Sequence, residues 1–306
     1  MGTPDFSLPV LESLVNSRHE VVAVYTRPDR PAGRGRQLVS SPVKLAATAA
    51  GIPVREPRSL REETSASELT ALRPDLVVVA AFAYILPPEV LGVPRYGCLN
   101  VHPSLLPRYR GPSPVATALL NGDTETGVSI MLMDSGLDTG PVLAAERVSI
   151  GDEDTTGSLT RRLFEVGARL LLVAIDDWLD GRLRPAPQRE SEVSVSSRIT
   201  AHEGKLDWSL PAAVLDRKVR AYHPWPGGHT VWKGQRLKVH RATPLSLAVS
   251  EPPGTVVELK QPFCVGASTG DGVLALRSVQ LEGKREVTAE EFIRGHRNFL
   301  GSRLES

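Results

Sequence analysis

Three apolar runs in the first third of the chain, EVVAVYT at 20–26, DLVVVAA at 75–81 and CLNV at 98–101, are separated by stretches with helical spacing such as Pro9–Val15 and Val43–Ala50. Runs this uniformly apolar, rather than alternating with polar residues, belong to strands covered on both faces, as in a parallel sheet packed between helices. Strand, helix, strand in succession then implies right-handed crossovers and an α/β sheet. A later pair, GVSIMLM at 127–133 and Pro141–Val148, is joined by DSGLDTG, which suits either a hairpin or a loop above the sheet edge. From 158 to 179, apolar residues at Leu159, Leu163, Val166, Leu170, Val173 and Trp178 trace one face of a long amphipathic helix. That helix closes a first domain expected over 1–180.

Beyond it the texture changes. Residues 181–205 carry prolines, serines and mixed charges and read as an extended linker. From 206 to 306, after a short helix near Pro211–Ala221, five short alternating runs follow: Thr230–Trp232, Leu237–His240, Thr255–Leu259, Phe263–Ala267 and Val273–Val279. Each is bounded by Gly, Pro or Asp-Gly, and five such strands suggest a small OB-like barrel.

Charge narrows the function classes. With 36 Lys+Arg against 35 Asp+Glu there is no global field for nucleic acid, so any such contact must come from local clusters. Cys98 and Cys264 form no CxxC and no disulfide framework, which fits a reducing compartment, the cytoplasm. No run of 18 apolar residues and no basic-then-apolar leader is present, so neither membrane insertion nor export is expected. The seven histidines show no HxxxH or Cys/His spacing, no metal is expected, and the lack of GxGxxG after a strand disfavours a dinucleotide.

The chemistry-bearing stretch is GCLNVHPSLLPRYRGPSPV at 97–115. Asn100 and His102 share one side of a strand by its period of two, so both can face the crevice beyond the carboxyl end of a parallel sheet. Periodicity alone equally suits a structural histidine and a turn-forming Asn. Asp138, in LDTGPVL, adds a carboxylate on a Gly-flanked loop, and alone reads as a turn residue. Taken together, an amide, an imidazole and a carboxylate suit acyl transfer to an amine: donors for a carbonyl oxygen turning tetrahedral, and an acceptor for the amine's proton. Cys98 sits inside an apolar strand and reads as a buried thiol rather than a nucleophile.

These residues carry a resemblance. LNVHPSLLPRYRGPSPV followed by ETGVSIMLMDSGLDTG resembles the formyltransferase family that uses 10-formyltetrahydrofolate, and GTPDF at Gly2–Phe6, PDRPAGRGR at Pro28–Arg36 and YHPWPG at Tyr222–Gly227 extend it over nearly the whole chain. The resemblance implies a Rossmann-like catalytic domain with a parallel-rich sheet, a linker and an OB-like barrel. It implies catalytic roles for Asn100, His102 and Asp138, and a folate-bordering wall at Ser104, Leu105, Leu106 and Pro107, where proline restrains a loop that holds a planar ligand. Its nearest branch formylates initiator methionyl-tRNA, and this implies a tRNA partner, no membrane and a monomer.

Between Thr26 and Lys44 the chain carries Arg27, Arg30, Arg34, Arg36 and Lys44 against Asp29 alone. Such a run is usually a solvated loop; the resemblance implies instead that Arg34 and Arg36 meet tRNA, the glycines letting the loop mould to it. From Leu206 onward there are 14 Lys+Arg against 10 Asp+Glu, with Lys233, Arg236, Lys238 and Arg241 on one hairpin, and Lys233, Arg236 and Lys238 are the expected RNA contacts there. Trp225 and Trp232 read as core or interface packing. Family members begin with a short apolar strand ending in AGTP, whereas this sequence opens at Met1-Gly2-Thr3-Pro4, so that strand is expected to be lacking from a central position of the sheet. Rival readings are a formyltransferase acting on a sugar-nucleotide or purine-precursor amine, and a catalytically idle RNA-binding protein.

Overall fold

A computed structural model of the chain describes residues 1–32 and 37–306. Contacts divide it into two compact units, the first comprising 1–114, 125–149 and 160–196, the second 115–124, 150–159 and 197–306. The division differs from a cut at 180 and 205: the helix Pro114–Asn121 and the start of the helix Thr156–Leu179 fall largely with the second unit, and the segment up to 196 with the first.

In the first unit, β1 is Val24–Tyr25, an antiparallel hairpin is made of β2 (Arg30–Ala32) and β3 (Gln37–Val39), and β4 (Val54–Arg55) pairs in parallel with β1. Next come β5 (Val77–Val79), β6 (Cys98–His102), β7 (Glu125–Leu132) and β8 (Val142–Ser149), which form a sheet in that order. β5 and β6 are parallel, while β6 with β7 and β7 with β8 are antiparallel, so the DSGLDTG stretch connects a hairpin. Along β6 the side chains alternate. Leu99 and Val101 join Val128, Ile130, Phe164 and Leu171 in one core, and Cys98 joins Val77, Val79 and Leu86 in another. Each fully buried aliphatic contributes about 1.5–3 kcal/mol of transfer free energy. Gly167 allows the helix Thr156–Leu179 to lie directly on β6, since a Cβ there would stand 2.6 Å from Val101 Cγ1. β6 is thus clamped on both faces at the point where it delivers Asn100 and His102.

β1 and β5 are shorter than the apolar runs at 20–26 and 75–81 suggest, and among the described residues Met1 and Gly2 lie between them. The Met1 amine donates to the Val78 carbonyl at 2.7 Å, Ala80 N–H donates to the Met1 carbonyl at 2.9 Å, and Gly2 N–H donates to the Tyr25 carbonyl at 3.0 Å. Alongside lies an apolar cavity of about 390 Å³, lined by Val21, Val22, Val24, Val77, Val78 and Ile175 among others. Strand residues there lack a ladder partner on one side. Burial of the Met1 amine lowers its pKa to about 5.

Residues 186–196, read as linker from their composition, are extended apart from a 3-10 turn at Glu190–Glu192 and are hydrogen-bonded to the first unit at several points. Ala186 and Val142 exchange both backbone hydrogen bonds, and Arg110 and Val195 form a parallel bridge.

The second unit is an antiparallel sheet in the order β11 (Val256–Glu258), β12 (Val265–Ser268), β13 (Val273–Leu281), β10 (Gln235–Leu245), β9 (His229–Trp232), with β14 (Val287–Thr288) beside β13. All five strands read from the sequence are present. Register shifts in β10 near Val239–Ala242 bend it, as bulges do. The two edges are joined by the segment 302–305: Val256 N–H donates to the Ser302 carbonyl, Leu304 N–H to the Gly254 carbonyl and Glu305 N–H to the Val231 carbonyl. That segment closes the barrel and removes the open edges. Inside lie Trp208, Leu215, Trp232, Leu237, Val239 and Phe299. The buried indoles find partners, Trp208 Nε1 donating to Thr230 Oγ1 at 3.1 Å and Trp232 Nε1 to Ser302 Oγ at 2.9 Å.

Candidate active site

His102 is buried at 4% exposure at the carboxyl end of β6. Its Nε2 lies 3.1 Å from the Tyr109 carbonyl. A carbonyl only accepts, so Nε2 carries the proton and, in the neutral ring, Nδ1 holds the lone pair. Nδ1 stands 3.7 Å from Asp138 Oδ2. Burial lowers the His102 pKa below its ordinary value, while the Asp138 carboxylate and the Tyr109 carbonyl push the other way without prevailing. The resting ring is therefore neutral, with its lone pair at Nδ1. It becomes a donor at Nδ1 only after it has taken a proton.

Asp138 adopts a left-handed backbone, φ 54°, on the β7–β8 connection. Its Oδ2 accepts from Gly111 N–H at 2.7 Å, and its own carbonyl accepts from Gln188 Nε2 at 2.8 Å. Gly111, at φ 102°, is needed where it stands, because a Cβ would meet the Ser196 carbonyl at 2.8 Å. Asn100, on the same side of β6 as His102, is half-buried, and its side chain makes no hydrogen bond among the described residues. The structure thus sets His102 beside Asp138 and places Asn100 on the same side of β6 as His102.

The wall at 104–107 is hung on β7 opposite His102. Ser129, paired in register with His102, donates its hydroxyl to the Ser104 carbonyl at 2.7 Å and accepts from Leu106 N–H at 3.1 Å. Ser104 is fully buried and its hydroxyl is spent on the Arg108 carbonyl, so it stiffens the loop from within. Leu105, Leu106 and Pro107 are half-buried. Sequence reasoning missed a cavity of about 610 Å³ walled by Leu60, Ile85, Leu86, Pro87, Pro88 and Ser135 among others. It follows β5, whose Val79 is in register with Asn100, and Ser135 lies three residues before Asp138. The signal was the run ILPP at 85–88 after an apolar strand, the same carboxyl-edge logic that located His102.

Other expectations fare variously. Cys98 is buried and its thiol is pushed up to about 12 by burial, an inert group. Arg34 and Arg36 lie outside the described residues; just before β2, Asp29 is tied by Lys44, whose Nζ is 2.8 Å from both Asp29 and Glu56. Arg236 and Lys238 share the outer face of the β9–β10 hairpin with His229, opposite buried Leu237, and Lys233 sits over the Trp232 ring at 5.2 Å. His229 is held below its ordinary pKa by burial, and Arg236, Lys238 and Lys205 push the same way, marking a cationic cluster. Trp232 is core, as expected, but Trp225 is not: it is 59% exposed. The reason is local. Pro226 is buried near Gly204 and Pro224 lies against Gly157, so the ring between them is turned to solvent. Among the described residues no three His, Cys, Asp or Glu side chains converge as a metal site, and no helix is long and apolar enough to cross a membrane.

A buried neutral imidazole facing a carboxylate, with an uncommitted amide on the same side of the strand, is an arrangement suited to acyl transfer onto an amine, set on an α/β sheet and followed by a barrel. Within that class the chain belongs to the formyl transferase family: the family's formyl transferase domain matches residues 1–175 and its C-terminal domain residues 198–297. It is 46% identical over 306 residues to the methionyl-tRNA formyltransferase of Roseiflexus sp. (99% of this chain, 94% of that one), and 46% identical over 299 residues to that of Xanthomonas axonopodis pv. citri (97% and 96%). The crystal structure of an N-formyltransferase from Helicobacter canadensis, complexed with folinic acid and dTDP-3-aminofucose, shares the fold, with a TM-score of 0.66 at 19% identity over 90% of this chain and 97% of that one.

Proposed function

We propose that this chain transfers the formyl group of 10-formyltetrahydrofolate to the α-amine of initiator methionyl-tRNA. The observation that carries the reading is the His102–Asp138 pair: a neutral Nδ1 beside a carboxylate, placed to take a proton from an attacking amine. Nδ1 and the carboxylate are both acceptors and form no hydrogen bond with each other, and at 3.7 Å apart they can both accept from one N–H-bearing nitrogen placed against the pair. Formyl-folate supplies a formyl carbon on a nitrogen able to leave. The Asn100 amide N–H donates to the carbonyl oxygen as charge builds there, and His102, once protonated at Nδ1, adds a second, cationic donor. The cavity past the carboxyl end of β5, walled by Leu60, Ile85, Leu86, Pro87 and Pro88 with Arg61, Glu62 and Glu89 at its polar side, suits the flat ring and polar groups of the folate.

Overall resemblance to methionyl-tRNA formyltransferases supports the acceptor. The outer face of the β9–β10 hairpin, with Arg236, Lys238 and nearby Lys205, suits phosphate contact, and exposed Trp225 offers a ring for stacking on an unpaired base. Arg34 and Arg36 are proposed as further tRNA contacts. A monomer is proposed from the family resemblance alone, and two free cysteines support the cytoplasm.

The test is purified protein with 10-formyltetrahydrofolate and labelled methionyl-tRNA of initiator and elongator type, beside a nucleotide-linked amino sugar. Formylation of the initiator species well above the other two is expected. Transfer to the sugar alone would assign the chain to the other acceptor class suggested by its structural neighbours.

A further inference from the structure

Gln188 belongs to a stretch whose composition reads as linker, yet its side chain is fully committed. Nε2 donates to the carbonyls of Asp138, at 2.8 Å, and Gly140, at 2.7 Å, and Oε1 accepts from Arg110 Nε at 2.9 Å. Arg110 is buried at 6% exposure, and its second guanidinium nitrogen meets Glu190, which is largely in water. The same stretch reaches the other partner of His102. Tyr109 N–H donates to Ser194 Oγ at 2.9 Å, Arg110 N–H to the Ser194 carbonyl at 2.9 Å, and Ser196 N–H to the Arg110 carbonyl at 2.7 Å. Both groups that touch the imidazole, the Tyr109 carbonyl and the Asp138 carboxylate, are therefore attached to one short segment, 186–196.

We infer that this segment is a strap that orients the catalytic pair, and that Gln188 is its positioning residue: by bridging the Asp138 and Gly140 carbonyls to Arg110 it holds Asp138 in its left-handed backbone, so that the carboxylate faces His102 Nδ1. The energetic case rests on the backbone. A left-handed backbone is uncommon outside glycine, and although Asp enters it more readily than most residues, nothing in its own side chain holds Asp138 there, since that carboxylate is turned to Gly111 N–H. Two amide N–H donors on the carbonyls either side of Thr139 do that, and they do so specifically. Glutamate in place of Gln188 keeps the shape and the Arg110 contact but sets an anion against two carbonyl oxygens; leucine fills the space and makes none of the bonds.

This inference rests on the reading of His102 and Asp138 as the reacting pair, but its first test needs no substrate. The His102 ring is titrated by NMR in the free protein, wild type against Gln188→Glu, Gln188→Leu and Gln188→Asn, the last keeping the amide but withdrawing it by one methylene. If Gln188 holds Asp138 in place, its loss lets the carboxylate drift from the ring, and the His102 pKa falls further below its ordinary value in all three, least in Gln188→Asn. In the formyl-transfer assay kcat drops about 10–100-fold while KM for folate and acceptor stays within about twofold, the pattern of lost positioning rather than lost binding. An unshifted His102 titration in the folded Gln188→Asn protein overturns the inference, whatever the melting points of the harsher variants. Failure of the acceptor reading would show differently: no transfer to methionyl-tRNA by the wild type, with the titration shifts intact.

Discussion

At the residue scale the site turns on which nitrogen of His102 carries the proton. Because Nε2–H is committed to the Tyr109 carbonyl, Nδ1 is the nitrogen with a lone pair to take a proton, and with His102 as the proposed base His102→Ala should lower turnover by about 10²–10⁴-fold while leaving tRNA affinity nearly unchanged. The pH profile has a definite sign. The folded His102 pKa lies below the unfolded one, so activity and the stability contributed by the neutral ring hold above the ordinary imidazole range and are lost as pH falls beneath it. Asp138→Asn removes the charge that opposes this depression, so any residual activity should have its acid limb at lower pH than wild type. A limb moved upward would contradict the roles given to both groups. That Asn100 and His102 share a side of β6 was legible from the period of two, their proposed roles only with the family likeness. Asp138 became legible only through a family likeness, and Gln188 not at all, since its partners are backbone carbonyls and a guanidinium 48 to 78 positions away, invisible to any local pattern.

At the element scale, the apolar runs at 20–26 and 75–81 announced buried strands, and the structure forms only part of each, β1 late in the first and β5 in the middle of the second. Strand propensity is not enough without a ladder partner, and Met1–Gly2 offers only two residues of one. An extension of four or five apolar residues ahead of Met1 would enter the cavity of about 390 Å³ between Val21–Val24 and Val77–Val78. It should raise the melting midpoint by several degrees, each kcal/mol being worth roughly 2–4 °C in a chain of this size. It should also flatten a pH slope. In the 306-residue chain the Met1 amine titrates near 5 when folded and near 8 when unfolded, so the unfolding free energy should climb between those values as pH rises. Moving the charged amine out of the core removes that climb. Denaturant melts of the two chains at several pH values decide it, and equal slopes would mean the amine is not buried in solution.

For the whole molecule, near-neutral net charge conceals a local asymmetry: the outer face of the β9–β10 hairpin gathers Arg236, Lys238 and Lys205 around His229. If that face meets RNA phosphates, Arg236→Ala with Lys238→Ala should weaken tRNA binding and reduce the slope of log K against log salt by about 0.7–0.9 per lost contact, with folate binding intact. Trp225→Ala should weaken binding with the slope unchanged, since stacking releases few counterions. A fall in slope for Trp225→Ala equal to that of the double variant would reduce the ring to a bystander of a diffuse field. The barrel itself was readable strand by strand; its closure through 302–305 was not, because isolated bridges leave no periodic trace. The strap has a consequence for recombination. It falls between the two stretches that match the family, 1–175 and 198–297, so a chimera joined at the end of the long helix would inherit Asn100, His102 and Asp138 from one parent and their orienting segment from another. Modules exchanged at that seam would carry the reagents without the jig, and a seam moved past Ser196 would keep the two in one piece.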